Sequence, residues 1–236
     1  MFYEVDWNCK MLPIPCDPTS NAQSTCRELA SLHERFGFSK FLMTPTYLCE
    51  RESVQAFCIR KNAMEREIRA FLPKSLRLKF ASSVQLSRGI SLEKGLEHLA
   101  LTSNHYLPIT LPMEAYGDWI DFELNQLLYK RHLRLMLQSF EYAMILYPKD
   151  VLEKLLRVPN AIYQFNYKGL LIPKVCDTVR TMLRKNATIL LGSGIDHPQK
   201  VASYDLEDFQ ASALQNLSES EFQILLRNGR NFWSSI

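Results

Sequence analysis

The sequence predicts an α/β protein built on a parallel sheet or barrel and folded as one domain over residues 1–236. Three observations predict it. Short apolar runs alternate with longer stretches of helical periodicity along the whole chain, the pattern of strand–helix units joined by crossovers. Seven such units fit into 236 residues, slightly short for an eight-fold barrel. No linker rich in proline, glycine or serine and no clear repeat divides them.

The elements follow in order. Phe2 to Trp7 reads as the first strand, and a polar turn runs from Pro13 to Asn21 with prolines at 13, 15 and 18. Ala22 to Phe36 carries Leu29, Leu32 and Phe36 at helical spacing. Phe38 to Met43 is the second strand, stopped by Thr44-Pro45. Arg51 to Phe71 is a long charged helix with a solvated face. Leu76 to Leu86 is the third strand, and Tyr106 to Leu111 the fourth, ending at Pro112. Trp119 to Lys130 is a helix with Ile120, Leu124, Leu127 and Leu128 on one side. Arg134 to Leu137 is the fifth strand, Lys149 to Arg157 is helical, and Ile162 to Asn166 is the sixth strand. Pro173 to Lys185 opens with a proline in its first turn, where a helix tolerates it. Ala187 to Leu191 is the seventh strand, and Leu206 to Leu214 and Glu219 to Arg227 are closing helices.

Composition narrows the function. The formal net charge is +3 and scattered, which gives no footprint for nucleic acid or an anionic membrane surface. Glycine numbers only 8, and Gly192-Ser193-Gly194 is the one fragment resembling a phosphate-cradling loop. The third position of a dinucleotide fingerprint there is His197, and there is no Gly-Lys-Ser/Thr run. The 6 cysteines contain no CxxC pair. No stretch approaches the roughly 20 apolar residues of a membrane span, and the first residues lack a signal-peptide pattern. The expectation is a cytoplasmic protein with reduced cysteines.

In a parallel barrel the site forms at the carboxyl ends of the strands. Those positions hold Asn8, Cys9 and Lys10 with Asp17 in the following loop, then Thr46 and Tyr47, Gln85, and Thr110. Gln138, Ser139 and Glu141 follow the fifth strand, Asn166 and Lys168 the sixth, and Gly194, Asp196 and His197 the seventh. The set is polar but poor in metal ligands. Asp17, Asp196 and His197 are the residual candidates, with Glu141 and Cys9 as outside ones.

The order of these fragments resembles the PHP (polymerase and histidinol phosphatase) superfamily, in its bacterial capsule-locus branch of CpsB/YwqE-type metal-dependent tyrosine-protein phosphatases. The resemblance covers about residues 2–227. EVDWNCKMLP stands where the family has Asp-x-His-x-His-x-Leu-Pro, and FLMTPTY where a strand ends Thr-Pro-His. YLPITLP stands for an Ile-Glu-Leu-Pro strand, LRLMLQSFEY for one ending Ala-His-Pro-Glu-Arg-Tyr, and ATILLGSGIDH for one ending Ser-Asp-Ala-His. LSESEFQILLRN resembles the closing helix. The resemblance implies a distorted, TIM-like (β/α)7 barrel, Mn or Fe as cofactor, and a partner such as a tyrosine-kinase tail or a polysaccharide-export component.

The departures bear on function. The opening histidines are Asn8 and Lys10, and the histidine after Thr-Pro is Thr46. The two strand glutamates are Gln85 and Thr110, and the fifth-strand histidine is Gln138. The phosphate-holding arginine is Glu141, and the last Asp-x-His pair is Gly194 and Asp196. Among the expected metal-binding positions only Asp17 keeps its residue type. Neutral amides and hydroxyls are weak ligands beside imidazole and carboxylate, and an ammonium at Lys10 repels a divalent cation. The expectation is a degenerate pocket without a cofactor, in which Lys10 pairs with Asp17, Asp196 or both, in a pseudophosphatase that acts by binding. The alternative is an active phosphatase or other hydrolase with a reworked metal or metal-free site. Cys9 is its candidate nucleophile, against the plainer reading of a buried filler. A third reading, a structural subunit, would expose Phe232 and Trp233.

Overall fold

The computed structural model describes residues 3–13, 17, 19–101 and 105–236. Phe2, Pro15, Cys16 and Pro18 therefore lie outside the described residues, and with them part of the expected first strand and proline turn. The chain is α/β with parallel sheets. Strands β1 (Val5–Cys9), β2 (Lys40–Met43) and β4 (Arg77–Phe80) form one sheet in the order β1-β2-β4, with β3 being Thr46–Tyr47. The second sheet runs β3-β5-β6-β7-β8-β9, where β5 is Ser83–Gln85, β6 Tyr106–Thr110, β7 Arg134–Gln138, β8 Ile162–Asn166 and β9 Thr188–Gly192. All these strand pairs are parallel.

One expected strand continues past its expected stop, and another is broken in two. The second resumes after Pro45 as β3, and the third is interrupted at Ala81-Ser82. Pro45 has no N–H for the ladder, yet its carbonyl accepts from Ser83 N at 2.8 Å, so the bent strands stay in register across the break. The far edges also meet. Gly194 N donates to Asn8 O at 2.9 Å, and Lys10 N to Ile195 O at 2.8 Å, so the segment after β9 runs beside β1.

The α-helices among the described residues are α1 (Ala22–Phe36), α2 (Val54–Phe71), α3 (Asp118–Asn125), α4 (Phe140–Leu146), α5 (Lys149–Leu155), α6 (Pro173–Arg184), α7 (Leu206–Asn216) and α8 (Glu219–Ser235). Local chemistry sets several ends. Asn21 and Ser24 form a capping box at the start of α1, and Gly37 closes it in the left-handed region. Ser218 and Glu221 form the same box for α8. The expected helix from Trp119 to Lys130 is α3 followed by a π-helical turn, Gln126–Lys130. Helix α4 had no counterpart in the sequence reading, and α8 runs eight residues beyond the expected end at Arg227. That extension buries Trp233 against Trp7, with ring centroids 5.9 Å apart, so the exposed aromatic pair expected near the C-terminus is corrected: Trp233 is core.

The strands carry two layers that position the site. Val5, Trp7, Leu42, Ala81, Met136, Ile162 and Leu190 form a small apolar cluster with Trp233. Residues two apart on a strand share a face. Two positions beyond Leu42, Ala81, Met136, Ile162 and Leu190 stand Thr44, Ser83, Gln138, Gln164 and Gly192. An apolar layer thus gives way to a neutral polar one towards the carboxyl ends.

Gly192 lets that layer close. A Cβ there would lie 2.5 Å from Asn8 N and 2.7 Å from Asn8 Cβ. The first contact is backbone, so no side-chain rotation relieves it. Gly192→Ala is expected to destabilise the fold by about 2 kcal/mol. A denaturant midpoint equal to that of the parent chain would show that β1 and β9 are not so closely apposed.

Candidate functional site

The polar layer is knitted together by amides. Thr44 Oγ1 donates to Asn8 Oδ1 at 3.0 Å. Asn8 Nδ2 donates to Asn166 Oδ1 at 3.0 Å and Ser139 Oγ at 3.3 Å. Gln164 Nε2 donates to Asn166 Oδ1 at 3.1 Å, and Gln164 Oε1 accepts from Ser139 N at 2.9 Å. Asn166 Nδ2 donates to Ser139 Oγ at 3.1 Å and Glu141 Oε1 at 2.7 Å, and Asn166 N to Glu141 Oε2 at 3.2 Å. Every hydrogen-bonding position of the Asn166 amide is therefore used. Asn8, Thr44, Ser139, Glu141, Gln164 and Asn166 are all buried.

Beside this network lies a cleft of about 750 Å³ at the ends of β7, β8 and β9. Glu141, Asn166, Lys168, Ser193, Gly194 and Asp196 are among its lining residues. Burial raises the Glu141 carboxyl to about 7, against hydrogen bonds from its own backbone and from Asn166 and the charge of Lys10. Burial likewise lowers the Lys10 ammonium from its ordinary value, with Asp196 and Glu141 opposing. Gly194 adopts φ +67°, and a Cβ on it would sit 2.8 Å from Asn166 Cγ. The space a side chain at 194 would occupy is thus taken by the Asn166 amide.

The other sequence-derived positions scatter. Asp17 Oδ2 pairs with His197 Nε2 at 3.1 Å, and Asp17 Oδ1 accepts from the hydroxyl and N–H of Thr19. Those bonds, Thr19's first, hold the Asp17 carboxyl down at about 2. His197 Nδ1 accepts from Gln199 N, which leaves Nε2 as the proton-bearing nitrogen facing Asp17. Asp196 pairs with Lys200 at 2.7 Å. The expected Lys10–Asp17 pair is therefore corrected: His197 has taken Asp17. Asp196 and Glu141 act on Lys10 only through their charge, with no ion pair among the described residues.

Thr46 is exposed. Tyr47 is fully buried, edge-on to Phe57, with its hydroxyl donating to Glu93 at 3.3 Å, so it serves the core beside α2. Thr110 meets Ser83 at 2.9 Å, and Gln85 lines a separate shallow cleft with Arg88 and Trp119. Gln138 is buried, and neither amide atom has a partner among the described residues. Cys9 is fully buried, and burial followed by the charge of Asp6 pushes its thiol well up, so it stays a protonated filler.

Sequence reasoning missed Asp6, Thr44, Gln164 and Ser193 as members of the site. Asp6 is fully buried under the network, and its Oδ1 accepts from Asn8 N at 3.0 Å and Ser193 N at 2.8 Å. Burial raises its carboxyl, and bonds from Ser193 and Asn8 work against the shift. A signal was present for Thr44 and Gln164: each stands two residues beyond a strand position that packs inward.

Parallel α/β sheets with a polar cluster at their carboxyl ends define the class: folds whose ligand sites sit at the ends of parallel strands. Within it the chain is similar to a solved chain from the crystal structures of YwqE from Bacillus subtilis and CpsB from Streptococcus pneumoniae, described as unique metal-dependent tyrosine phosphatases. The TM-score is 0.64 at 14% identity, over 95% of this chain and 94% of that one. That likeness is one of fold. No protein-family model and no curated protein sequence matches the chain. Among the described residues no three of His, Cys, Asp and Glu converge where they could hold a metal ion, and no helix is long and apolar enough to cross a membrane.

Proposed function

We propose that the chain is a degenerate relative of the metal-dependent tyrosine phosphatases, a single distorted (β/α)7 barrel that acts by binding and does not turn over substrate. The backbone bonds joining the segment after β9 to β1 support the barrel reading. The observation that carries the functional reading is the network at the strand ends. Asn8 and Asn166 spend their amide groups on Thr44, Ser139, Gln164 and Glu141, not on an open centre. The donors do not fit Mn or Fe: they are mostly neutral amides and hydroxyls already engaged with one another, with a lysine beside them.

The partner in this reading is a protein of capsular or exopolysaccharide regulation in the cytoplasm, such as a tyrosine-kinase tail, a role carried over from the resemblance. Metal content of the purified chain by mass spectrometry, run beside phosphotyrosine hydrolysis with and without Mn²⁺, tests the core of it. Substoichiometric metal and no turnover are expected. Two or more metals per chain together with hydrolysis would overturn it. One observation favours the second reading, a hydrolase with a reworked site: Glu141 is a buried carboxyl at about 7 beside a cleft, as general acids often are. On that reading Glu141→Gln abolishes a measurable turnover.

A further inference from the structure

We propose that the cleft at the ends of β7, β8 and β9 binds a small organic carboxylate with an apolar body, in preference to a phosphate ester. The proposal rests on the binding function above and names its ligand class.

The lining divides into two chemistries. Tyr142, Ile145, Leu171 and Phe209 offer apolar and aromatic surface, while Glu141 and Lys168 offer charge. Tyr142, Ile145 and Leu171 remain exposed, so this surface is open to a ligand. A cleft of about 750 Å³ is of ordinary size for a small-molecule site. An apolar body fits one part of it, and the charge balance decides what the head is. Asp196 is taken by Lys200. Lys168 lines the cleft, Lys10 lies within reach of the charges of Glu141 and Asp196, and neither lysine has an ion-pair partner among the described residues. The excess is positive, which selects an anion.

The kind of anion follows from what stands beside the lysines. Among the described residues no arginine lines the cleft, so they offer no bidentate clamp suited to phosphate. Glu141 is there instead. As a carboxylate it repels a dianion. As a carboxylic acid it offers an O–H that a ligand carboxylate can accept, so that two carboxyl groups share one proton. The groups facing Glu141 are Lys10 after β1, Asn166 on β8, Asp196 after β9, and the phenols of Tyr142 and Tyr204. Of these, only Lys10 favours its ionised form by charge. Burial outweighs that and keeps the proton on up to about neutral pH.

The test is calorimetric titration of the full chain with 3-phenylpropionate, phenyl phosphate and 3-phenylpropan-1-ol at about pH 6 and about pH 8. Phenylpropionate should bind best of the three, and about tenfold more tightly at the lower pH, as the protonated fraction of a group near 7 dictates. Glu141→Gln should keep binding and lose the pH dependence. Lys168→Met, an exposed change that leaves the fold intact, should weaken binding about tenfold. Phenyl phosphate binding as tightly as phenylpropionate, or no binding of the carboxylate at either pH, overturns the proposal. Carboxylate binding in a chain that also hydrolyses phosphotyrosine with bound metal would leave the ligand class standing and remove the non-catalytic reading. Silence towards the carboxylate in a metal-free, inactive chain would remove the ligand class alone.

Discussion

Asn166→Ala should lower the stability of the protein by about 3 kcal/mol, the largest loss expected from any single polar truncation at the site. Its amide sits at the centre of the strand-end network, accepting from Asn8 and Gln164 and donating to Ser139 and Glu141. Alanine removes all four bonds and leaves buried groups on four neighbours without that partner. Each such orphan costs about 1–3 kcal/mol when considered alone, and losses within one network do not add. Relaxation and an entering water recover part of the total. For a chain of this size, about 3 kcal/mol corresponds to a fall in Tm of about 6–12 °C. Denaturant unfolding checks the free energy. A double-mutant cycle with Asn8→Ala checks the cause, because the two losses should be strongly non-additive. Additive losses, or a loss below about 1 kcal/mol for Asn166→Ala, would mean that the network does not act as a unit.

Stability should also fall as pH rises from about 4.5 to about 7, and Glu141 is the reason. Its ordinary value of 4.5 becomes about 7 in the fold because burial penalises the carboxylate. Below 4.5 both folded and unfolded states hold the proton, and the group contributes fully. Between 4.5 and about 7 the unfolded chain ionises first and is favoured. Above that window both states are ionised and the loss is complete. At about 1.36 kcal/mol per pH unit the gap amounts to about 3 kcal/mol. The measurement is the difference in unfolding free energy between the parent chain and Glu141→Gln across the window. Gln has no proton to lose, so its profile should be flatter. Parallel profiles would place Glu141 in contact with water and remove the cause of its shift. Asp17 works in the other direction and lower down, since its depressed carboxyl favours the fold until pH falls towards about 2.

These two predictions depend on residues that the sequence places at strand ends. Asn166 and Glu141 were both placed at strand ends by the alternation of elements, and both belong to the network and line the cleft. Thr46 and Tyr47 were placed by the same rule and do neither. Pro45 bends the second strand, so the chain that continues as β3 leaves Thr44 at the network and carries Tyr47 into the core. Counting to a strand end is off by two residues at β2, because that strand breaks at Pro45. Helix α4 escaped notice because its seven residues follow Ser139, which has a left-handed φ of 51° and makes no side-chain cap bond. Without a cap and with little length, such a helix has almost no sequence signature.

What the sequence by itself determined is the alternation of strand and helix, hence a parallel α/β fold, and the neutral polar character of the strand ends. Both are local properties, written in spacing and residue type. What only the tertiary structure decided is which polar group meets which, and therefore which are spent and which are free. Asn8 and Asn166 are 158 residues apart in sequence, and His197 takes Asp17 from 180 residues away. The raised carboxyls of Asp6 and Glu141 have the same origin. A carboxyl is shifted by burial, and burial is made by every element that packs over it, so no window of sequence around the residue contains its cause.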